Sequence, residues 1–154
     1  DTIRFETTAE LETLLHDQWP RHDVLIMAAA VADERPVAPP ADGKQARGDA
    51  RTLELEPTPD LLAGLHPITR SDQYRVGFAL ESSTHLLERA EAKMMTKKLD
   101  AIVANPLDTM DAATVDGMLL LAGGDTVHAP AGMEKAAFAT WLIDHITTQL
   151  PVTT

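Results

Sequence analysis

The sequence predicts an α/β domain of three layers, α/β/α, with a mostly parallel sheet finished by a C-terminal antiparallel hairpin. Three observations carry this. The runs at 23–29 and 101–104 are continuously apolar rather than alternating, as in parallel strands covered on both faces. Between and around them lie stretches with apolar residues at helical spacing, so strand and helix alternate as in successive βαβ units. Near the C-terminus, residues 115–122 and 126–129 flank Gly123-Gly124-Asp125, a hairpin signal.

Taken in order, residues 2–5 read as a short strand. Thr7 and Glu10 then form a capping box that opens a helix with Leu11, Leu14 and Leu15 on its apolar face, ending near Trp19-Pro20. The run at 23–29 is expected to be a central strand. Residues 34–51 hold Pro36, Pro39, Pro40, Gly43 and Gly48 with little periodicity and read as one long loop. Such loops are uncommon in compact domains and often functional, but composition equally allows a tolerated surface loop. Residues 52–56 alternate as a half-exposed strand, and a helix follows with Thr58 as N-cap and Pro59 at its first position. Residues 74–80 form a further strand. Ser83 or Thr84 caps the next helix, whose stripe is Leu86, Leu87, Ala90 and Met94. The strand at 101–104 ends at Asn105-Pro106, and residues 136–150 form a closing helix with Phe138, Leu142, Ile146 and Leu150 inward.

Composition limits the partners. The chain has 154 residues, the size of one domain, with 13 basic against 24 acidic side chains and a net charge of -11. Nucleic acid is not an expected partner, because phosphate backbones reward basic surfaces. No membrane is expected either: the longest nearly uncharged apolar run, 24–32, is far below the ~20 residues of a spanning helix. There is no signal-peptide pattern, and the lack of cysteine excludes disulfides, thiolate metal sites and cysteine nucleophiles while permitting a reducing cytoplasm. The six histidines show no metal-ligand spacing. Because the first residue is Asp1 rather than Met, a fragment or processed chain is expected. Within this acidic chain Lys93, Lys97 and Lys98 cluster, and Lys44 stands near Arg35, Arg47 and Arg51, leaving two local basic sites for a small anion.

In open α/β sheets ligands bind beyond the carboxyl ends of the strands, which directs attention to 28–33, 58–62, 78–81 and Asn105. The small residues Ala28, Ala29, Ala30 and Ala32 allow a ligand close to the backbone, with Asp33 as an acceptor for ribose hydroxyls or a metal. The same residues suit a helix capped by Asp33, and unaided composition favours that reading. Backbone amides at the helix start after Pro57 offer an anion site. Neither a G-x-G-x-x-G nor a Walker lysine loop is present, which counts against an ordinary nicotinamide-dependent oxidoreductase.

Four ordered segments carry a resemblance. They are the run from Asp23 to Asp33 with Arg35-Pro36, the run from Leu53 to Leu62, the run from Val76 to Glu81, and Ala92-Lys93 with the run from Lys98 to Asn105. Together they resemble bacterial phosphopantothenoylcysteine synthetase, the C-terminal domain of the bifunctional coenzyme A biosynthesis flavoprotein, over about residues 22–150. The resemblance implies a Rossmann-like fold and a cytoplasmic, homodimeric ligase domain covering residues 1–154. Such a ligase activates 4'-phosphopantothenate with CTP to an acyl-cytidylate, loses pyrophosphate, and transfers the acyl group to L-cysteine with Mg²⁺ assisting. FMN enters only if a phosphopantothenoylcysteine decarboxylase domain is fused upstream.

By position, the resemblance implies a nucleotide-binding strand end at Met27, Ala28, Ala29 and Asp33, with Asp33 also the metal contact. It implies nucleotide contacts at Pro59, Asp60, Leu61 and Leu62, and at Phe78, which an ordinary core aromatic would match equally. Lys44 matches the first lysine of a K-x-K-K flap motif and is the expected catalytic contact to the acyl-cytidylate. Lys93 and Lys97 match two nucleotide-binding lysines, and their i, i+4 spacing puts both on one helix face. Simple topology opposes that role, since a helix returning from a strand ends away from the ligand edge, where lysines offset the dipole. Lys98 is left to that structural role.

The chain also departs from the family. The flap segment reads Lys44-Gln45-Ala46-Arg47, and the glycine-rich first turn and Asn-x-Ser-Ser-Gly segment have no counterpart, so an incomplete active site is expected of this chain alone. A second hypothesis follows, a non-catalytic nucleotide-binding or regulatory subunit of the same fold. The hairpin at 115–130 is the candidate dimer contact.

Overall fold

The computed structural model describes residues 1–37 and 52–150. Residues 2–5 are not a strand: they are exposed and pair with no strand among the described residues, and a lone extended segment without a neighbouring ladder leaves its backbone groups to water. The first helix, α1 (Thr8–Gln18), begins as expected, with Thr7 Oγ1 accepting from the Glu10 amide at 3.2 Å and the Glu10 carboxylate accepting from the Thr7 amide at 3.2 Å. A 3₁₀ turn, Trp19–Arg21, ends it and buries Trp19. That indole donates to Thr69 Oγ1 at 2.9 Å, and the buried Gln73 amide donates to the Trp19 and His22 carbonyls at 2.8 and 2.6 Å. Gln73 Oε1 in turn accepts from the Arg70 amide at 2.7 Å, so every polar group of this side chain that faces the interior is used.

Three short strands follow: β1 (Val24–Ile26), β2 (Glu34–Pro36) and β3 (Leu55–Pro57). β1 is not the central strand its apolar run predicts. It lies at the edge of the sheet, half-buried, because β4 (Tyr74–Glu81) is its one partner strand among the described residues. β2 and β3 pair antiparallel as a separate ribbon, so the segment expected as loop from residue 34 begins with strand. Cross-strand pairing of Arg35 with Glu56, at 2.8 Å between Nε and Oε1, overrides the low strand propensity of Pro36 at an exposed edge.

The short helix α2 (Leu61–Leu65) is capped by Asp60, whose Oδ1 accepts from the Ala63 amide at 3.1 Å. The cap is therefore Asp60, not Thr58, and Pro59 precedes the helix instead of opening it. β4 leads into α3 (Leu86–Lys97), where His85, rather than Ser83 or Thr84, holds the N-cap position without a side-chain cap bond. Leu86, Ala90 and Met94 are buried, while Leu87 is exposed. Lys98 closes α3 in the left-handed region, φ 52°, and the Leu99 amide reaches the Met94 carbonyl at 3.0 Å, a Schellman closure.

β5 (Ala101–Pro106) pairs parallel to β4; β7 (Met118–Leu121) and β8 (Thr126–His128) complete the sheet antiparallel, in the order β1-β4-β5-β7-β8. The hairpin turn uses Gly124 at φ 95°, a conformation glycine adopts without a Cβ clash. β6 (Thr114–Val115) and β9 (Met133–Glu134) form a further two-stranded ribbon, which delivers the chain to α4 (Lys135–Gln149). Phe138, Leu142 and Ile146 of α4 are buried at i, i+4 and i+8, each burial stabilising by about 1.5–3 kcal/mol. Leu150 lies past the helix end and only partly buried.

The sheet therefore separates two cores. On one face Leu62 of α2, Leu86, Ala90 and Met94 of α3, and Leu99 just past it cluster with Ala79, Ile102 and Ala104. On the other, α4 packs on Val76, Val103 and Leu119. This is the three-layer α/β/α arrangement expected.

Candidate functional site

β1, β4 and β5 run parallel, so their carboxyl ends share one edge. Met27 extends the pairing of β1 by one step, its amide donating to the Val76 carbonyl at 2.9 Å. The chain then leaves the sheet through the small residues 28–32, which form no helix, and the Asp33 carbonyl accepts from the Thr58 amide at 2.8 Å. That bond ties the β1 exit to the approach of α2.

Between these segments lies a cleft of about 270 Å³. Met27, Ala29, Asp33, Pro59, Asp60, Leu61, Leu62, Phe78 and Lys97 line it, with Val31, Ala32 and Thr58. Nine of the residues to which the resemblance gives a binding role are thus brought together, and the other three fall in the strand-end stretches 28–33 and 58–62. Ala28 and Lys93 do not line the cleft, and Lys44 and its flap motif lie outside the described residues.

Lys97 corrects the topological expectation. It sits in the last turn of α3, yet its side chain lines the cleft, with Nζ 3.2 Å from Asp60 Oδ2. Helical side chains lean toward the helix N-terminus, and four methylenes carry the ammonium back toward the carboxyl edge. Asp60 serves both purposes, one carboxylate oxygen capping α2 and the other meeting Lys97.

Lys93, one turn earlier, is held at 2.7 Å by Oε1 of Glu81, the last residue of β4. Arg89 Nη1 meets the other oxygen at 2.9 Å. The hydrogen bonds from Lys93 and then Arg89 hold the Glu81 carboxyl below the usual carboxylate range. Lys98 does not line the cleft, and its carbonyl accepts from the guanidinium of the buried Arg75, which also donates to the Leu62 carbonyl at 3.1 Å. Arg75 thereby satisfies carbonyls at the ends of both α2 and α3.

Asn105, near the end of β5, stands opposite Leu80 of β4. Its Oδ1 is buried without a hydrogen-bond partner among the described residues, and a Cβ on Gly117 would approach it to 2.3 Å and Phe138 Cζ to 3.0 Å. Gly117 is required there for close packing rather than for its backbone angles.

Asp33 and Asp60 are the cleft's carboxylates, and no group of three or more His, Asp or Glu side chains suited to a metal ion occurs among the described residues. This donor set fits Mg²⁺ carried largely by substrate phosphates, with a single protein carboxylate, better than a protein-only cage. No helix among the described residues is long and apolar enough to cross a membrane.

Fold and cleft define an α/β protein with a cleft at the carboxyl edge of parallel strands. The chain matches the model of the "DNA/pantothenate metabolism flavoprotein C-terminal domain" over residues 1–150 and belongs to that family. It is 37% identical over 102 residues to the coenzyme A biosynthesis bifunctional protein CoaBC of Escherichia coli K12, covering 64% of this chain and 25% of that protein. With the CoaBC protein of Mycobacterium bovis it shares 33% identity over 97% of this chain and 38% of the relative. A prokaryotic protein named cysteine/cysteine sulfinic acid decarboxylase is 35% identical over 70% of this chain and 30% of its own length. The chain thus spans about a quarter to two fifths of these relatives.

Among solved structures, the C-terminal domain of a CoaBC protein superposes with a TM-score of 0.76 at 25% identity, covering 96% of this chain and 65% of that one. A Cab2 mutant in complex with phosphopantothenate-cysteine shares the fold at a TM-score of 0.56 and 20% identity, covering 79% and 42%.

Proposed function

We propose that this chain is the nucleotide-binding part of a CTP-dependent phosphopantothenate–cysteine ligase in coenzyme A biosynthesis. The observation that carries the reading is the cleft, where Met27, Ala29, Asp33, the Asp60–Lys97 pair and Phe78 meet at one sheet edge in a member of this family. The names of its CoaBC relatives support the pathway.

In this reading the side-chain-poor wall at 28–32 admits ribose and phosphate to the backbone, Asp33 accepts from a ribose hydroxyl, and Phe78 faces the base. Lys97 leaves Asp60 for phosphate oxygens, a charge-assisted exchange. The carboxylate of 4'-phosphopantothenate attacks the α-phosphorus of CTP, forming the acyl-cytidylate as pyrophosphate departs. The L-cysteine amine then attacks the acyl carbon, loses a proton and expels CMP. Lys44 contacts the acyl-cytidylate. Mg²⁺ bound with the triphosphate would neutralise charge on the leaving pyrophosphate, and Asp33 is the residue placed to hold it. A homodimer joined through the β7–β8 hairpin, in the cytoplasm, completes the proposal; a fused decarboxylase domain, carrying the FMN, belongs to the whole protein.

The test is pyrophosphate release by the full protein from CTP, 4'-phosphopantothenate and L-cysteine. Release that needs all but cysteine, and that falls at least about a hundredfold in Lys44→Ala, supports it. Absence of release from a folded, CTP-binding protein overturns it. That outcome would establish the second reading, a non-catalytic nucleotide-binding or regulatory subunit, which the altered segment Lys44-Gln45-Ala46-Arg47 favours.

A further inference from the structure

Arg89, Lys93 and Lys97 stand at i, i+4 and i+8 on α3, one above another on the same face, a ladder about 12 Å long at 1.5 Å per residue. Lys97 enters the cleft; the other two are fastened to a single carboxylate, that of Glu81, which is only 12% exposed at the end of β4. The pairing fixes where the two cations stand without exhausting them. Arg89 uses one of its five N–H donors on Glu81 and Lys93 one of its three, and both side chains stay open to solvent, at 58% and 43% exposure.

The three ladder cations are paired with two carboxylates, Glu81 and Asp60, while the cleft's other carboxylate, Asp33, makes no ion pair among the described residues, on a chain whose net charge is -11. The Glu81 carboxylate itself shows that the gap between Arg89 and Lys93 accepts an oxyanion.

We propose that Arg89 is a third phosphate-binding residue, aligned beside Lys93 by Glu81 as a positioning residue, for the distal phosphates of a nucleoside triphosphate whose base and ribose occupy the cleft. This rests on the nucleotide reading of the cleft and adds to it a residue and a selectivity. Binding at Arg89 favours triphosphate over monophosphate, because Arg89 stands about two helical turns from Lys97, the one ladder residue that lines the cleft.

Calorimetric titration of the full protein with CTP and with CMP, at fixed salt, tests it. Arg89→Ala is expected to weaken CTP binding about tenfold, the loss of one charge-assisted hydrogen bond, and to change CMP binding by less than about twofold. Arg89→Lys recovers part of the CTP affinity, and Arg89→Gln repeats the loss with a polar side chain in place. A CTP affinity unchanged in Arg89→Ala, or CTP and CMP falling together, overturns the assignment. If the wild-type protein binds neither nucleotide, the nucleotide reading itself fails, an outcome visible before any variant is made.

Discussion

Asp60 links the stability of α2 to the charge of the cleft, and two substitutions separate these tasks. Asp60→Ala removes both the cap on the Ala63 amide and the partner of Lys97, whereas Asp60→Asn keeps an amide oxygen for the cap and removes the charge. An N-cap is worth about 1 kcal/mol and a part-exposed ion pair about 0.5 kcal/mol. Asp60→Ala is therefore expected to cost about 1.5 kcal/mol and Asp60→Asn about 0.5 kcal/mol. At about 2–4 °C per kcal/mol for a chain of this size, Tm falls by roughly 3–6 °C and 1–2 °C respectively in thermal unfolding followed by circular dichroism. Thr58→Ala, at the position that the sequence pattern nominates as cap, shifts Tm by less than about 2 °C, because Thr58 makes no cap bond to α2. Both Asp60 variants free Lys97, so inorganic pyrophosphate should bind them more tightly than wild type. Equal melting of the two Asp60 variants, or a Thr58→Ala loss as large as that of Asp60→Ala, would refute the reasoning.

Gln73→Ala strands the Trp19 and His22 carbonyls and the Arg70 amide, and is expected to cost about 3 kcal/mol at roughly 1 kcal/mol per bond, measured by urea denaturation. Gly117→Ala forces a Cβ against Asn105 and Phe138 and should cost about 1–3 kcal/mol in the same assay; a neutral result would mean that α4 packs more loosely than the structure shows. The pKa of His66 is held below the ordinary value of 6.5, by desolvation first and then by the charges of Lys98 and Arg75. The unfolded chain thus binds this proton more readily, so stability is complete above about pH 6.5 and declines as pH falls below it. His66→Gln should flatten that limb of a plot of urea midpoint against pH, and an unchanged slope would assign the decline to other groups.

Much of the architecture follows from short-range rules. The capping box at Thr7, the apolar runs that became β4 and β5, the Gly123-Gly124 turn and the i, i+4 stripe of α4 all depend on residues within a few positions of one another, where steric and hydrogen-bonding preferences act directly. The strand-end rule likewise located most of the cleft, because parallel strands bring their carboxyl ends to one edge whatever the loops contain. Tertiary structure alone decided the rest. An apolar run specifies burial without specifying neighbours, so the edge position of β1 came only from which strands are available to pair. Asp60 took the cap from Thr58 because the β2–β3 ribbon and the bond from the Thr58 amide to Asp33 set where α2 begins. Lys97 reaches the cleft, and Arg89 joins Lys93 at Glu81, through long side chains directed by helix geometry toward groups 8 to 37 residues away in the chain. Local periodicity has no access to such distances, since they are set by how a helix is laid against a sheet.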